Sequence, residues 1–577
     1  MKKIACFALA GLLALASCSD FLDADNKSNV TSDDYFNTPA GFETLVNYAY
    51  AQLKVLYGGS PAIFSSGTDL YHRGRNAQSD AGLQNYTGLN PENSTVAAFY
   101  TDCYEGIQAA NCVLHYAKTT EGTETTIAKR VAEARFIKAL YYFELVQHFG
   151  GVPLVKDYVK SIVNNVPRAT LADTYAYIFD ELNALTGAAS PLPAVDKSGR
   201  ISKQAVYHYL AKAYLTAGWD LNVSAHFTTA AAWADSAIAL GTGLDETFES
   251  LWWPANDNNH QEVVLAIQYD STSSIAAGLA KADYGNSWQT NFCQYLGGND
   301  QGYKGTSSNF LPSERLMYLF QPGDTRYEAT FMTTLYCKDP TKPKTTGDYY
   351  APYKGTASSR YVAFYYPPHY ASSPADIAAW KAADTLYRAT TVVIPMASTT
   401  IHPNGAACTY YEACTEGDAV FGIAAVRKFD DPESIYGNNT CYRDIVLARL
   451  GETYLIAAEA YLKAGVQGTA DDRLNVVRER AFRGSGLAYT KNNVTIDDIL
   501  EERALELCAE RLRWTDLRRT QKLINYNVLY NPELTDASSF IGNDGKNKIY
   551  RPIPQSAIDL NTATIEQNEG FGSAPAQ

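Results

Sequence analysis

The clearest periodic pattern of apolar residues lies in the stretch VAEARFIKALYYFELVQHFGGVPLV, from Val131 to Val155. Its apolar positions recur at steps of four and three: Ala132, Phe136, Ala139, Phe143 and Val146. This spacing predicts a helix with one apolar, aromatic stripe. Gly150 and Gly151 end the helix because glycine accepts the left-handed conformation of a C-cap, and Pro153 prevents it from resuming. Periodicity alone therefore predicts a buried core helix.

Similar periodicity predicts further helices on both sides of this one. They are expected at about 34–57, 94–116, 126–149, 171–185, 202–219, 227–240, 442–465, 473–481 and 496–522. The two at 202–219 and 227–240 mix small residues with aromatic ones, as tetratricopeptide-like hairpins do, because alanine lets helices approach closely. The repeat is loose, so it predicts architecture rather than chemistry.

The pattern changes between 250 and 440, where Tyr, Pro, Thr and Gly are frequent. The runs Glu262–Ile267 and Thr391–Ile394 are typical of strands, whereas 61–93 and 283–308 are polar and aromatic and predict loops. The fold class expected is mainly α, with tetratricopeptide-like hairpins as a scaffold and a loop-rich subdomain containing short strands. The predicted organisation is one integrated globular body: 1–17 signal peptide, 18–31 tether, 32–249 N-terminal helical region, 250–440 loop-rich middle subdomain and 441–577 C-terminal helical region.

The N-terminus predicts export and attachment to a membrane. Lys2 and Lys3 precede an apolar run from Ile4 to Ala16 that is too short to span a bilayer. Small residues then lead to Cys18, as in a bacterial lipobox cut before that cysteine. Acyl chains on Cys18 would anchor the protein, although a plain secretory signal with a chance cysteine is the alternative. No later run is long and apolar enough for a transmembrane helix.

Composition limits the possible partners and cofactors. The formal charge is −14, which disfavours binding to nucleic acid. The 42 tyrosines suit helix seams, interfaces and sugar rings alike. Cysteine and histidine spacings predict no zinc site, and Cys408 and Cys414 are the most plausible disulfide pair. No cofactor is expected; a structural Ca²⁺ could brace the loops, but no EF-hand-like spacing supports one.

Four separated segments resemble the SusD/RagB family of outer-membrane nutrient-binding lipoproteins. They are AEARFIKALYYFELVQHFGGVPLV; NFLPSERLMYLFQPGDTR; DIVLARLGETYLIAAEAYLKAG with LNVVRERA; and EERALELCAERLRWTDLRRT, followed by RPIPQSAIDLN and NEGF. Glu569 and Phe571 depart mildly from the family's usual close. These motifs are scaffold, and Glu502, Arg503, Glu510, Arg511 and Trp514 are expected on one helix as ion pairs and stacking groups.

The resemblance implies a cell-surface protein, lipid-anchored in the outer membrane, that captures an oligosaccharide and delivers it to a SusC-like TonB-dependent transporter. A peptide-binding RagB-type subunit of the same kind of importer is the first alternative. A surface glycoside hydrolase is the second, but no catalytic motif such as GxSxG or HExxH is present. The protein is therefore expected not to be an enzyme.

No binding residue can be transferred from the family, so the predicted glycan site rests on composition. The loop 283–308 offers an aromatic platform: Trp288, Tyr284, Tyr295 and Tyr303. The loop 61–93 offers a second contribution: Tyr71, Arg73, Asn76 and Tyr86. For Trp288 the alternative is packing beneath its own loop. Trp252 and Trp253 adjoin a predicted strand and are expected in the core.

Overall fold

The computed structural model describes residues 32–74, 80–161, 163–257, 260–270, 285–292, 309–337, 361–396, 399–401, 407–409, 423–431 and 440–572. These residues are mainly helical with short strands, which confirms the predicted fold class. None of the helices they form combines the length and apolar character that crossing a bilayer requires. The signal peptide, Cys18 and Cys414 lie outside the described residues, so the lipid anchor and the Cys408–Cys414 disulfide remain predictions.

The N-terminal half consists of helices with short connections. They are α1 (Ser32–Phe36), α2 (Pro39–Gly58), α3 (Ala62–Ser65), α4 (Ala81–Asn85), α5 (Ser94–Tyr116), α6 (Glu124–Phe149), α7 (Leu171–Asn183), α8 (Lys203–Asp220), α9 (Ser224–Ala239) and α10 (Phe248–Leu251). Several begin at a side chain that accepts an N–H of the first turn, as Thr123 does from Thr126 and Ser202 from Ala205.

The middle of the chain contains shorter helices, and longer ones return after residue 449. The middle helices are α11 (Trp288–Phe292), α12 (Glu314–Leu319), α13 (Arg326–Thr330), α14 (Pro374–Ala382) and α15 (Thr385–Arg388). The C-terminal helices are α16 (Leu450–Lys463), α17 (Gln467–Ala481), α18 (Ile496–Glu506), α19 (Arg513–Arg519), α20 (Leu523–Tyr530) and α21 (Gln555–Asp559).

The strands form small separate sheets. They are β1 (Tyr71–His72), β2 (Val263–Ile267), β3 (Leu311–Pro312), β4 (Thr334–Cys337), β5 (Tyr361–Tyr365), β6 (Val392–Val393), β7 (Thr399–Ile401), β8 (Ala407–Thr409) and β9 (Ile445–Arg449). The strand expected in 262–267 is confirmed as β2, which pairs antiparallel with β9. The strand expected in 391–394 is β6, parallel to β5, while β4 pairs with the other edge of β5.

Helix α6 lies at the centre of the N-terminal half. Its stripe is buried as predicted, but the burial extends much further: from Ala132 to Phe149 only Arg135 is not buried. The helix is enclosed because α2, α5, α7 and α8 all pack against it. Its polar side chains have partners, as when the Tyr57 hydroxyl donates to Glu144 at 2.8 Å. Gly150, at φ 73°, is the stop that the sequence predicted.

The predicted helical hairpin is α8 with α9, and α16 packs against both helices. Their contact is built largely from alanine. The buried residues of this cluster are Ala211, Leu215, Phe227, Ala230, Ala231, Ala234, Ile456, Ala457 and Ala460. Small side chains let the helix axes approach closely, which is the packing that the sequence predicted.

Three predicted segments differ from the structure. The loop 61–93 includes α3, β1 and α4, and residues 61–72 are all buried. The helix expected over 496–522 is broken between α18 and α19 by left-handed residues, Ala509 at φ 65° and Arg511 at φ 68°. No glycine or proline marks that turn. A third difference is that β9, and not a helix, precedes Leu450.

The crossing of α5 and α6 gives a first prediction, because Gly106 lies directly against the Tyr141 ring. A Cβ built on Gly106 would come 2.1 Å from Tyr141 Cζ, and Tyr141 is fully buried. We expect Gly106→Ala to lower the free energy of unfolding by about 1–3 kcal/mol through overpacking. Chemical denaturation measures this change.

Gly468→Ala is the matched control for that substitution. Gly468 lies in α17, and a Cβ there meets nothing within 4 Å. We expect Gly468→Ala not to lower the free energy of unfolding, and to raise it by up to about 0.5 kcal/mol because alanine has the higher helix propensity. Equal losses for both variants would contradict the overpacking explanation.

Candidate functional site

The structure places Trp288 in the core and not on a ligand-binding surface. Its side chain is 1% exposed, its Nε1 donates to the Tyr57 carbonyl at 2.7 Å, and its ring packs edge-on against Phe429 at 5.0 Å. The prediction that this ring stacks on a sugar is corrected, because no face of it reaches solvent. The ring packs against Phe292 and Phe429, whereas most of the loop 283–308, beneath which the alternative placed it, lies outside the described residues.

Tyr71 and Tyr86 are corrected for the same reason. Tyr71 is 3% exposed, and its hydroxyl accepts the Ala509 N–H at 2.5 Å. Tyr86 is 1% exposed, and its ring lies 4.1 Å from that of Phe540. Its hydroxyl donates to the Gly67 carbonyl at 3.1 Å. Both rings hold the N-terminal segment against the C-terminal helices.

Arg73 is the one predicted binding residue that the structure describes at the surface. Its side chain is 40% exposed, and its Nε lies 2.8 Å from Glu533 Oε2. The four other predicted residues lie outside the described residues: Tyr284, Tyr295, Tyr303 and Asn76. Their part in binding stays a prediction.

A cavity elsewhere in the middle region brings together the groups that ligand binding needs. It has a volume of about 640 Å³ and opens to solvent between α10, α13, β4, β5, α14 and α15. Its lining residues are Glu249, Trp253, Glu328, Phe331, Met332, Thr333, Thr334, Tyr336, Val362, Tyr365, Trp380, Asp384, Tyr387, Arg388 and Arg427. We call this the aromatic cavity. Its size is typical of small-molecule sites.

One wall of the aromatic cavity is a stack of three planar groups. The rings of Tyr365 and Trp380 are parallel within 2°, with centroids 4.0 Å apart. The Arg388 guanidinium carbon lies 4.4 Å from the Trp380 centroid. Tyr365 is held by the pairing of β5 with β4 and β6. Stacking of this kind fixes side chains that would otherwise be flexible.

Local sequence explains why α14 carries Trp380 to this wall. Ser373 and Asp376 form a capping box, with the Ser373 hydroxyl accepting the Asp376 N–H at 3.2 Å. Pro374 at the first helical position is already in a helical conformation. Arg388 is then tied to the end of this short helix, since its Nη1 donates to the Trp380 carbonyl at 3.1 Å.

The other wall is formed by Trp253 and Arg427. The Arg427 guanidinium carbon is 5.5 Å from the Trp253 ring, and Nη2 lies 3.0 Å from Glu249 Oε1. Nη1 donates to the Glu328 carbonyl at 3.1 Å. Arg427 is thus fixed by an ion pair, a backbone acceptor and an aromatic ring.

Two phenols of the aromatic cavity, those of Tyr336 and Tyr365, remain hydrogen-bond donors at neutral pH. Burial raises the pKa of Tyr336, and the guanidinium groups of Arg388 and Arg427 reduce that rise without cancelling it. Burial also raises the pKa of Tyr365. Chemically the cavity offers half-buried rings for apolar faces, phenol and guanidinium donors, and carboxylate acceptors.

The sequence prediction missed these residues. Trp252 is buried as expected, but Trp253 is half-buried and faces the aromatic cavity. The signal available was the high content of Tyr, Pro and Thr between Phe331 and Val426, which identified the region but not the residues.

Nothing that the structure describes indicates a metal site. Within the described ranges, no group of three or more His, Cys, Asp or Glu side chains is arranged so that it could hold a metal ion. Among the cysteines described there, Cys103, Cys112 and Cys508 are free thiols. Cys103 is buried within α5, and Cys508 is buried just after the end of α18.

Comparisons with known proteins agree on one family. The model of the SusD family matches residues 261–571, and a second model, "Starch-binding associating with outer membrane", matches residues 20–215. SusD-like protein P2 of Formosa agariphila is 24% identical over 99% of this chain and 100% of its own length. The starch-binding protein SusD of Bacteroides thetaiotaomicron is 25% identical over 78% of this chain and 75% of its own length.

Solved structures show the same fold. A laminarin-binding SusD-like protein has a TM-score of 0.64 at 23% identity, covering 92% of this chain and 100% of that one. A SusD homologue from Bacteroides thetaiotaomicron has a TM-score of 0.67 at 17% identity, covering 95% and 99%. At these identities the similarity establishes the fold, and the residues of a site have to be argued from the chain itself.

Proposed function

Because this chain belongs to the SusD family, we propose that it is a nutrient-binding protein of the cell surface that captures an oligosaccharide in its aromatic cavity. The observation that carries the proposal is the combination, in one open cavity, of half-buried aromatic rings with fixed polar groups. Sugar rings offer apolar C–H faces and a rim of hydroxyls. A site for them therefore needs aromatic surface and directional hydrogen-bonding groups together.

The polar groups of the aromatic cavity match the hydroxyls of a sugar. Carboxylates accept hydroxyl protons, as Glu249 and Glu328 are placed to do at the rim, and the Arg427 guanidinium donates. Arg427 is held by Glu249, so its position costs little entropy when a ligand binds. Because three carboxylates and two guanidinium groups line the cavity, a polar and hydroxyl-rich ligand fits it better than an apolar one.

The cellular role follows from the family. We propose that the protein is anchored through Cys18 in the outer membrane, faces outward and delivers its ligand to a SusC-like TonB-dependent transporter. Support comes from the lipobox-like N-terminus and from the matched family model, whose description names association with the outer membrane. We propose further that the protein binds without catalysis; incubation with the bound glycan is expected to release no new reducing ends.

Trp380→Ala tests the site. The substitution removes the ring on which both Tyr365 and Arg388 stack, so the wall loses its order. We expect at least a tenfold weaker affinity for the glycan that binds the parent protein, equivalent to about 1.4 kcal/mol. Isothermal titration of a panel containing laminarin-, starch- and xylan-derived oligosaccharides measures it.

Trp233→Ala is the matched control, since Trp233 is also half-buried and stacked on a tyrosine, Tyr207, at 5.2 Å, but lies on α9 away from the cavity. Its affinity is expected to stay within about twofold of the parent. Equal affinity of parent and Trp380→Ala would rule out the aromatic cavity as the site. A panel in which only peptides bind would favour the peptide-binding alternative.

A further inference from the structure

Arg388 differs from Arg427, the other cation of the aromatic cavity, because none of the described residues gives it an acidic partner. Arg427 forms an ion pair with Glu249 at 3.0 Å. For Arg388, the described residues place no carboxylate oxygen within the 4.0 Å of an ion pair, and its one side-chain hydrogen bond goes to the Trp380 carbonyl. Asp384 precedes it by one helical turn, but the Asp384 carboxylate accepts the Tyr387 N–H instead.

The Arg388 guanidinium is nonetheless held in place. It is stacked on Trp380, which is itself stacked on Tyr365, and one N–H is bound to a backbone carbonyl. A guanidinium carries five N–H donors in a planar fork. A fixed and half-buried fork with unused donors is preorganised for a planar acceptor that can take two of them.

We infer that Arg388 receives a carboxylate from the ligand, so that the captured glycan carries a uronic acid. A carboxylate matches the guanidinium fork with two parallel hydrogen bonds, which a hydroxyl cannot do. The inference rests on the proposed function, because it assigns the substrate class of the same cavity. A sulfate ester is the other sugar substituent with suitable acceptors, and the experiment distinguishes it.

The surrounding charges limit how many carboxylates the ligand brings to the cavity. Glu249, Glu328 and Asp384 line the same space, and the whole chain has a formal charge of −14. A polyanion would meet these carboxylates at short range, where salt screens poorly. The site therefore fits a glycan with a single uronate in the bound segment, flanked by neutral sugars whose hydroxyls meet the rim carboxylates.

Matched pairs of oligosaccharides test the inference directly. The first probe is aldotetraouronic acid, a xylotriose bearing one glucuronate, and the second is a singly glucuronate-capped galactooligosaccharide. Each is compared with its carboxyl-reduced form, in which glucuronate becomes glucose, and with a form sulfated at the same position. For at least one pair we expect the acid to bind the full-length protein at least tenfold more tightly than both of its counterparts.

Substitutions at Arg388 identify the group responsible. Arg388→Gln is expected to weaken binding of the acid at least tenfold more than it weakens binding of the reduced form, which loses only the wall contacts of this side chain. Arg388→Lys keeps the charge but loses the planar fork of donors. Its affinity for the acid is expected to lie between those of the parent and of Arg388→Gln. Arg473→Gln removes the same charge at an ion pair with Asp235 on the helical scaffold, and it is expected to leave both affinities unchanged.

The outcomes separate this inference from the proposed function. If neutral glycans bind with dependence on Trp380 and the acids bind no better, or if the sulfated forms bind best, the uronate inference is wrong and the binding site stands. Equal loss of acid and reduced forms in Arg388→Gln also overturns it. If no glycan binds the parent protein, both proposals fail.

Discussion

Arg449→Ala is expected to lower the free energy of unfolding by at least about 3–5 kcal/mol, because it leaves several buried carboxylates short of their counter-charge. Arg449 ends β9 and is 1% exposed. Its Nη1 lies 2.7 Å from Glu262 and 2.6 Å from Glu506, and its Nε lies 2.7 Å from Glu510. One guanidinium therefore joins three acidic side chains in the interior.

The network around Arg449 connects segments that are far apart in the chain. Arg480 bridges Glu262 and Glu506, and Arg326 lies 2.7 Å from Glu502 and 3.1 Å from Glu506. Burial by itself would raise the pKa of Glu506, but these guanidinium groups outweigh it and hold the pKa below its usual value. The stability that Glu506 contributes is accordingly present above pH about 4.5 and is lost as the pH falls through its lowered pKa.

The loss in free energy of unfolding caused by Arg449→Ala is therefore expected to be largest at neutral pH. Without Arg449 the buried carboxylates are easier to protonate, so the difference from the parent should shrink as the pH falls toward 5. Urea denaturation of the parent and the variant at pH 7.5 and at pH 5 measures this loss at each pH. Arg473→Ala, which breaks a partly exposed pair with Asp235, is expected to cost less than about 1 kcal/mol. Equal effects for the two substitutions would contradict the role given to the buried network.

Trp288→Ala is expected to lower the free energy of unfolding by about 3–5 kcal/mol and to leave glycan affinity of the folded protein unchanged. The ring fills space between Phe292 and Phe429, and its N–H satisfies the Tyr57 carbonyl. Removing it creates a cavity and leaves a buried acceptor without its donor. Denaturation measures the first effect, and titration well below the midpoint measures the second.

Trp288→Phe separates the two causes, because phenylalanine keeps most of the packing but lacks the N–H. We expect the free energy of unfolding of this variant to be lower than that of the parent by about 1–3 kcal/mol. The pattern is the reverse of Trp380→Ala, which should lose binding and little stability. If Trp288→Ala abolished binding while its stability stayed at the parent's level, the core assignment of this residue would be wrong.

Much of the helical scaffold was predictable because its physical cause is local. The stripe from Ala132 to Val146, the stop at Gly150 and the alanine-rich hairpin α8–α9 follow from spacing and residue type alone. The turn between α18 and α19 was not predictable, because Ala509 and Arg511 adopt left-handed backbone conformations that only tertiary contacts can impose. Ion pairs were expected for Glu502, Arg503 and Glu510, but the partners of Glu502 and Glu510 are Arg326 and Arg449, which come from remote segments.

The candidate site could not be located from the sequence for a related reason. The sequence next to Trp288 and next to Trp380 does not show which of the two rings is buried, and only the packing of distant segments distinguishes them. Phe429 and Tyr57 enclose Trp288. Trp380 instead meets Tyr365 at an open wall, because the pairing of β5 with β6 places them together. Composition identified the region, and the fold decides which rings face solvent.

The most direct test of the central claim is a crystal structure of the protein with the glycan that binds it in titration. We expect sugar rings in the aromatic cavity, within about 4.5 Å of Tyr365 or Trp253, and hydroxyls hydrogen-bonded to Glu249, Glu328 or Arg427. A glycan bound instead near Arg73 and Glu533, with the aromatic cavity empty, would contradict the account. The binding site would then lie at the segment 61–93, as the sequence predicted in part.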